Sequence, residues 1–218
     1  MDTLYPLMAI VFFANIAESL ASFGAMVLAL TLGARYFAIE DLVPILVPLN
    51  LVVSLVVVIR QWKEIDRKIL FLKIFPYTLI GLPLGILAYQ FAPGIWIQAM
   101  FGVVIVGLGI FELTRAFKSH LQEAPPLSLP TSIAFLISGG IMQGLYGSGG
   151  PFVVYYSSRA MTDKAKFRAT LALLWLILNF FVVVSLILTR KINVYTIQFS
   201  LYLLPFVLAG MTVGFLIH

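Results

Sequence analysis

Seven long apolar runs constrain the fold of this chain more than any other feature. They are separated by short polar breaks and cover residues 5–33, 41–58, 69–91, 95–117, 130–158, 170–188 and 195–217. A helix needs about 20 apolar residues to cross the hydrocarbon core of a bilayer. The runs lack the residue alternation of a membrane β-barrel. The sequence therefore predicts an all-α, polytopic membrane protein whose single domain fills residues 1–218.

Composition excludes several other classes of protein. Apolar residues make up 61% of the chain and charged residues 11%, which is too few polar side chains to cover a water-facing surface. The chain has no cysteine and two histidines, so we expect no disulfide framework, no metal site and no cofactor. The net charge is +5. We attribute it to Lys and Arg in loops, which set the orientation of the protein in the membrane, and not to binding of nucleic acid. The N-terminus lacks a basic opening segment, so no cleaved signal peptide is expected.

The two halves of the chain repeat each other. A shift of 129 positions aligns Pro76 with Pro205, Gly81 with Gly210, Gly85 with Gly214 and Asn50 with Asn179. A shift of 125 aligns Glu18 with Gln143, Leu20 with Leu145 and Gly24 with Gly149. We therefore predict repeat one at about 5–117, a linker at about 118–129 and repeat two at about 130–218. Repeated halves are common in transporters, whose sites lie between them near mid-membrane. The second half has no counterpart of the run at 95–117, which leaves open whether a final helix lies outside this chain.

The first apolar run of each half contains residues that disturb a helix. In the second half, four glycines fall within residues 144–150 and Pro151 follows. Each glycine lowers helix stability by about 1 kcal/mol relative to alanine, whereas proline suits the first turn of a helix. We therefore expect a break near Gly147–Gly150 and a new half-helix at Pro151. Irregular backbone at membrane depth is tolerated only where it is buried in protein or lines a cavity, and a helix N-terminus there favours an anion.

The basic residues indicate how these broken runs meet the membrane. If all seven runs cross, nine Lys and Arg lie on one side and five on the other. If the first run of each half enters and returns as a hairpin, the division becomes eleven against three. The positive-inside tendency favours the hairpins, and the two halves are then inverted relative to each other.

The stretch GGIMQGLYGSGGPFVVYY, Gly139–Tyr156, resembles the glycine-rich motif of the sulfite exporter TauE/SafE family of membrane permeases. Its counterpart in the first half, AESLASFGAMVLALTLG at Ala17–Gly33, fits the duplicated pattern with fewer glycines. The resemblance extends over most of the chain, although seven runs are few for the family. It implies transport of small anions, typically sulfite, sulfonates or other organosulfur compounds.

The candidate substrate-binding residues come from the breaks and from amides in matched spans. They are Gly147, Ser148, Gly149, Gly150, Gln143, Asn179, Asn50, Ser22 and Gly24. Asn50 and Asn179 either donate to an oxyanion or pin two helices together. Glu18 is the only acid well inside an apolar run, which makes it a candidate for coupling or gating. The alternative is a polar group at a water-filled mouth, or one satisfied by Ser19 and Ser22. Gly81, Gly85, Gly210 and Gly214 are expected to serve helix packing.

The sequence thus predicts a multi-pass permease, and not an enzyme, in the bacterial inner membrane. Its expected partners are a small anionic substrate and the lipid bilayer, and it would move the anion by alternating access. A membrane-embedded enzyme acting on a lipid or quinone is an alternative, but no cluster of His, Cys or paired acids supports it. A passive anion channel is the other alternative. A counterflow experiment would distinguish it from a carrier. The direction of transport, the coupling ion and the oligomeric state do not follow from the sequence.

Overall fold

A computed structural model describes residues 4–21, 24–118 and 127–217 of the chain. The regular elements in these ranges are helices. They are α1 (Leu4–Ala21), α2 (Ala25–Gly33), α3 (Ile39–Gln61), α4 (Arg67–Ile69), α5 (Phe75–Phe91), α6 (Gly94–Lys118), α7 (Leu129–Tyr146), α8 (Gly150–Ala160), α9 (Lys164–Leu188) and α10 (Val194–Ile217). A 3₁₀ turn at Trp62–Glu64 follows α3, and a π-helical segment at Leu70–Ile74 joins α4 to α5.

Within the described ranges, four helical spans are long and apolar enough to cross a membrane. They are Ile39–Glu64, Arg67–Phe91, Lys164–Leu188 and Val194–Ile217. The all-α, polytopic fold predicted from the apolar runs is thereby confirmed, and the chain is an integral membrane protein. Helix α9 begins six residues before its apolar run, because the Asp163 side chain caps it by accepting from the N–H groups of Ala165 and Lys166.

Both predicted breaks are present, and the chain turns back at each of them. In the second half, the Tyr155 ring of α8 stacks on Phe135 of α7 with ring centroids 4.7 Å apart, and the Gly149 N–H donates to Gln143. In the first half, a Cβ built on Gly33 of α2 would lie 3.5 Å from the Leu7 side chain of α1. These contacts make α1–α2 and α7–α8 antiparallel hairpins.

Contacts between distant segments show which loops share an end of the bundle. At one end the Tyr89 hydroxyl donates to the backbone oxygen of Glu40, and Lys191 donates to the backbone oxygen of Tyr89. At the other end the Asp66 N–H donates to the Thr170 hydroxyl. With the hairpins in place, this second end receives the eleven basic residues of the hairpin arrangement. We call it the basic face; the positive-inside tendency predicts that it is cytoplasmic.

Three helix pairs hold the bundle together: α5 packs along α7, α1 along α10 and α3 along α9. Glycines permit the closest approaches, as expected from the sequence. A Cβ on Gly81 would overlap the backbone oxygen of Ile137, and a Cβ on Gly210 would overlap that of Phe12. Phe12 and Ile137 are themselves 125 positions apart, so the two contacts correspond under the proposed repeat. The duplication stays a prediction that this correspondence supports. The predicted linker falls largely outside the described residues, between the end of α6 and the start of α7.

Cysteine labelling tests this topology directly, since the chain has no cysteine of its own. Single cysteines at positions 63 and 164 are expected to react with an impermeant thiol reagent from the same side of the membrane. A cysteine at position 191 should react from the opposite side. Labelling of positions 63 and 164 from opposite sides would show that the broken runs cross the membrane instead of returning.

Candidate functional site

The two breaks meet at one small cavity, which we call the break cavity. Its volume is about 20 Å³. It is lined by Glu18, Gly24, Met26, Asn50, Gln143, Gly147, Ser148, Gly150 and Trp175. Most of the residues that the sequence singled out are therefore brought together, although they come from four different helices and two breaks.

Gln143 organises the second break. Helix α7 ends at Tyr146, and Gly147 has a φ of 63°, a left-handed conformation that glycine adopts without strain. The Gln143 Oε1 atom accepts a 2.7 Å hydrogen bond from the Gly149 N–H. Its Nε2 atom donates a 2.7 Å hydrogen bond to Asn179 Oδ1 on α9. Gln143 thus ties the irregular segment to both its own hairpin and the α9 helix.

Glu18 serves the first break in the same way. Gly24 has a φ of 112°, and α2 begins immediately after it at Ala25. The Glu18 Oε2 atom accepts a 2.8 Å hydrogen bond from the Ala25 N–H. A carboxylate is stabilised there because the N-terminus of a helix carries partial positive charge. Glu18 and Gln143, which the shift of 125 aligns, therefore both accept a hydrogen bond from the backbone at the start of the half-helix that follows their break, one as a charged group and one as a neutral group.

Two of the predicted substrate-binding residues, Asn179 and Gly149, do not line the break cavity but contact Gln143, which does. Asn179 is fully buried and holds Gln143, and it is not among the residues that line the break cavity. Its Nδ2 atom has no hydrogen-bond partner within the described part of the chain, and such a buried orphan donor costs about 1–3 kcal/mol. Gly149 offers its N–H to Gln143, and a Cβ there would overlap the backbone oxygen of Gly139. Gly149 is therefore needed for the packing of α8 on α7. Ser22 lies outside the described residues.

A second cavity, of about 30 Å³, lies between the break cavity and the basic face. We call it the entry cavity. It is lined by Asn15, Glu18, Ser19, Val53, Ser54, Val57, Arg168, Ala172, Trp175 and Met211. Glu18 and Trp175 line both cavities and so form the wall between them.

Sequence reasoning missed Arg168, which it counted among loop residues. The signal that places Arg168 correctly is the N-cap preference of aspartate. Because Asp163 caps α9 at Lys164, Arg168 falls one turn inside the helix and reaches the bundle interior.

The comparison with known families agrees with the motif at the second break. The family model described as sulfite exporter TauE/SafE matches residues 7–218. The chain belongs to the sulfite exporter TauE/SafE family. This confirms the resemblance read from the glycine-rich stretch, and it makes the protein a membrane transporter and not an enzyme. No curated protein and no solved structure matches the chain significantly.

The break cavity of this TauE/SafE protein is lined by groups that can donate hydrogen bonds. The Ser148 hydroxyl and the Asn50 amide line it, and the helices α2 and α8 both begin beside it. Hydroxyls, amides and helix N-termini can all donate hydrogen bonds to an anion. The Glu18 carboxylate, when ionised, repels an anion. An anion can therefore bind beside Glu18 only if a cation offsets this charge or the carboxyl group is protonated.

Proposed function

We propose that this transporter carries a small oxyanion, sulfite or another organosulfur anion, across the bacterial inner membrane by alternating access. The observation that carries the proposal is the meeting of two helix starts, from hairpins that enter from opposite faces, at a single polar cavity. Helix N-termini aimed at an anionic group near mid-membrane are a recurring design of secondary transporters. Membership of the sulfite exporter family supports the same class of substrate.

The small size of the cavity supports a mechanism with a conformational change. A volume of about 20 Å³ has room for about one water molecule, so an oxyanion needs the two breaks to separate before it binds. The glycine contacts join α5 to α7 and α1 to α10 without space for a side chain. We therefore propose that these pairs move as rigid units about α3 and α9, and that each movement opens the site to one face.

Within this mechanism, the site residues have distinct proposed roles. Ser148, Asn50 and the backbone at Gly147 and Gly150 bind the anion directly, and the break at Gly24 completes the site from the other half. Gln143 and Asn179 hold the second break in shape, with Gly149 supplying the N–H that Gln143 accepts. Ser22 is proposed as a further donor from the first break. Glu18 is the proposed coupling residue.

The proposal is tested by uptake of radiolabelled sulfite, thiosulfate, sulfonates and carboxylates into proteoliposomes. We expect saturable uptake of an organosulfur anion, accelerated when the same unlabelled anion is loaded inside, because a carrier returns faster when occupied. Chloride inside the liposomes is the control for a general effect of charge. Uptake without acceleration would identify a passive channel, and no uptake of any of these anions would contradict the proposed function. Liposomes with Glu18→Gln should lose any dependence of uptake on an imposed proton gradient.

A further inference from the structure

The entry cavity contains a cation that the break cavity lacks. Of the basic residues that the structure describes, Arg168 is the one that lines either cavity. Ser54 and Ser19 line the entry cavity with it, so its walls are partly polar although it lies among membrane-spanning helices. A planar guanidinium offers several donors in a fixed geometry that matches an oxyanion.

The guanidinium of Arg168 packs on an aromatic ring. Its Cζ atom lies 4.5 Å from the centroid of the Phe215 ring, and Arg60 lies over the same ring at 5.2 Å. Attraction between a cation and an aromatic face leaves the N–H edges of the guanidinium available for hydrogen bonds. Glu18 lines the same cavity as Arg168, and an ionised carboxylate there attracts the guanidinium.

The arrangement matters because Glu18 stands between the two cavities. An anion that moves from the basic face to the breaks has to pass a carboxylate that repels it. Because Arg168 lines the entry cavity together with Glu18, its positive charge offsets that of the carboxylate, and the anion meets no net opposing charge. Arg60, over the same Phe215 ring as Arg168, adds a second positive charge near the cavity, and such charges raise the local concentration of an anion.

We propose that Arg168, assisted by Ser54, forms an entry subsite for the oxyanion on the basic face of the transporter. In the absence of substrate Glu18 attracts Arg168, and the anion competes with Glu18 for the guanidinium before it passes Trp175 into the break cavity. This subsite rests on the proposed function, since it binds the anion that the break cavity then receives. The subsite also makes anion binding from the basic face differ from binding from the opposite face, because no arginine lines the break cavity in the described structure.

The test compares sulfite uptake into inverted and right-side-out vesicles of a bacterial expression host. The inverted vesicles present the cytoplasmic face outward, which is the expected location of Arg168. Arg168→Gln should raise the KM in inverted vesicles by about tenfold or more, because it removes a charge-assisted hydrogen bond, and Arg168→Lys should recover part of the loss. The KM in right-side-out vesicles should change less than about twofold. Lys166→Gln is the matched control, since this exposed lysine lies at the same helix end and lines neither the entry cavity nor the break cavity.

Glu18→Gln provides an independent arm in case Arg168→Gln does not fold. Removing the carboxylate's charge frees the guanidinium, so the KM in inverted vesicles should fall by about threefold or more, as expected for the loss of a competing charge. The KM in right-side-out vesicles should fall less, whereas an effect of Glu18 on the break cavity alone would lower the KM equally from both faces. An unchanged or higher KM for Glu18→Gln, or an Arg168→Gln variant indistinguishable from Lys166→Gln, would overturn the entry subsite. In either case normal wild-type uptake would leave the proposed function standing. Absence of sulfite uptake by the wild type would overturn both.

Discussion

Gln143→Glu is expected to reduce anion uptake by roughly 100-fold while the protein remains folded. The new carboxylate has nearly the same shape and can still accept the hydrogen bond of the Gly149 N–H. Asn179, whose Nδ2 atom is otherwise unpaired in the described structure, can turn to donate to it. The added negative charge would repel an oxyanion in the break cavity by about 3 kcal/mol at ~5 Å and an effective dielectric constant of ~20. Uptake of labelled sulfite into proteoliposomes measures the loss, and thermal unfolding checks the fold.

Gln90→Glu is the matched control for this experiment. Gln90 is a glutamine that is less buried than Gln143, and it donates to Ser185 near the end of the bundle opposite the basic face. The same change of charge there should alter uptake much less than Gln143→Glu does, since Gln90 lines neither the break cavity nor the entry cavity. Equal losses in the two variants would mean that the effect is general, and undiminished uptake by Gln143→Glu would remove the break cavity as the anion site.

The breaks themselves could be predicted from the sequence because their causes are local. Glycine at Gly147 adopts a left-handed backbone without strain, and proline at Pro151 suits the first turn of α8. Both effects act within a few residues, so they can be recognised without a fold. The hairpins could be predicted as well, because the distribution of Lys and Arg reports on which loops share a face.

The partners of individual polar groups could not be predicted in the same way. Gln143 bonds to Asn179 across 36 positions, and nothing in either local sequence specifies the other. Gly149 is a candidate substrate-binding residue by sequence, whereas a Cβ built on it would overlap the backbone oxygen of Gly139. The role of Arg168 depends on the exact start of α9, and apolar periodicity locates a helix start less well than its capping residue does. Packing between helices decides these details.

Glycines allow the close helix packing within the two proposed rigid units, α5–α7 and α1–α10. Gly81→Ala is expected to destabilise the protein strongly, because the added Cβ overlaps the backbone oxygen of Ile137. Overpacking costs about 1–3 kcal/mol even where side chains can adjust, and here the obstacle is backbone. Gly107→Ala on α6 is the control, since a Cβ there meets nothing within 4 Å and alanine favours a helix. Thermal unfolding in detergent should show a clear loss for Gly81→Ala and an equal or higher midpoint for Gly107→Ala.

Gly210→Ala extends the prediction to the other half. Its Cβ would overlap the backbone oxygen of Phe12, which is the counterpart of Ile137 under the shift of 125. If the pairs α5–α7 and α1–α10 are equivalent units of two inverted repeats, Gly210→Ala should lower the unfolding midpoint about as much as Gly81→Ala does. A harmless Gly210→Ala beside a disruptive Gly81→Ala would show that the pairs are not equivalent. The transport mechanism would then be movement of one hairpin against the rest of the bundle, and not rocking of two equivalent helix pairs.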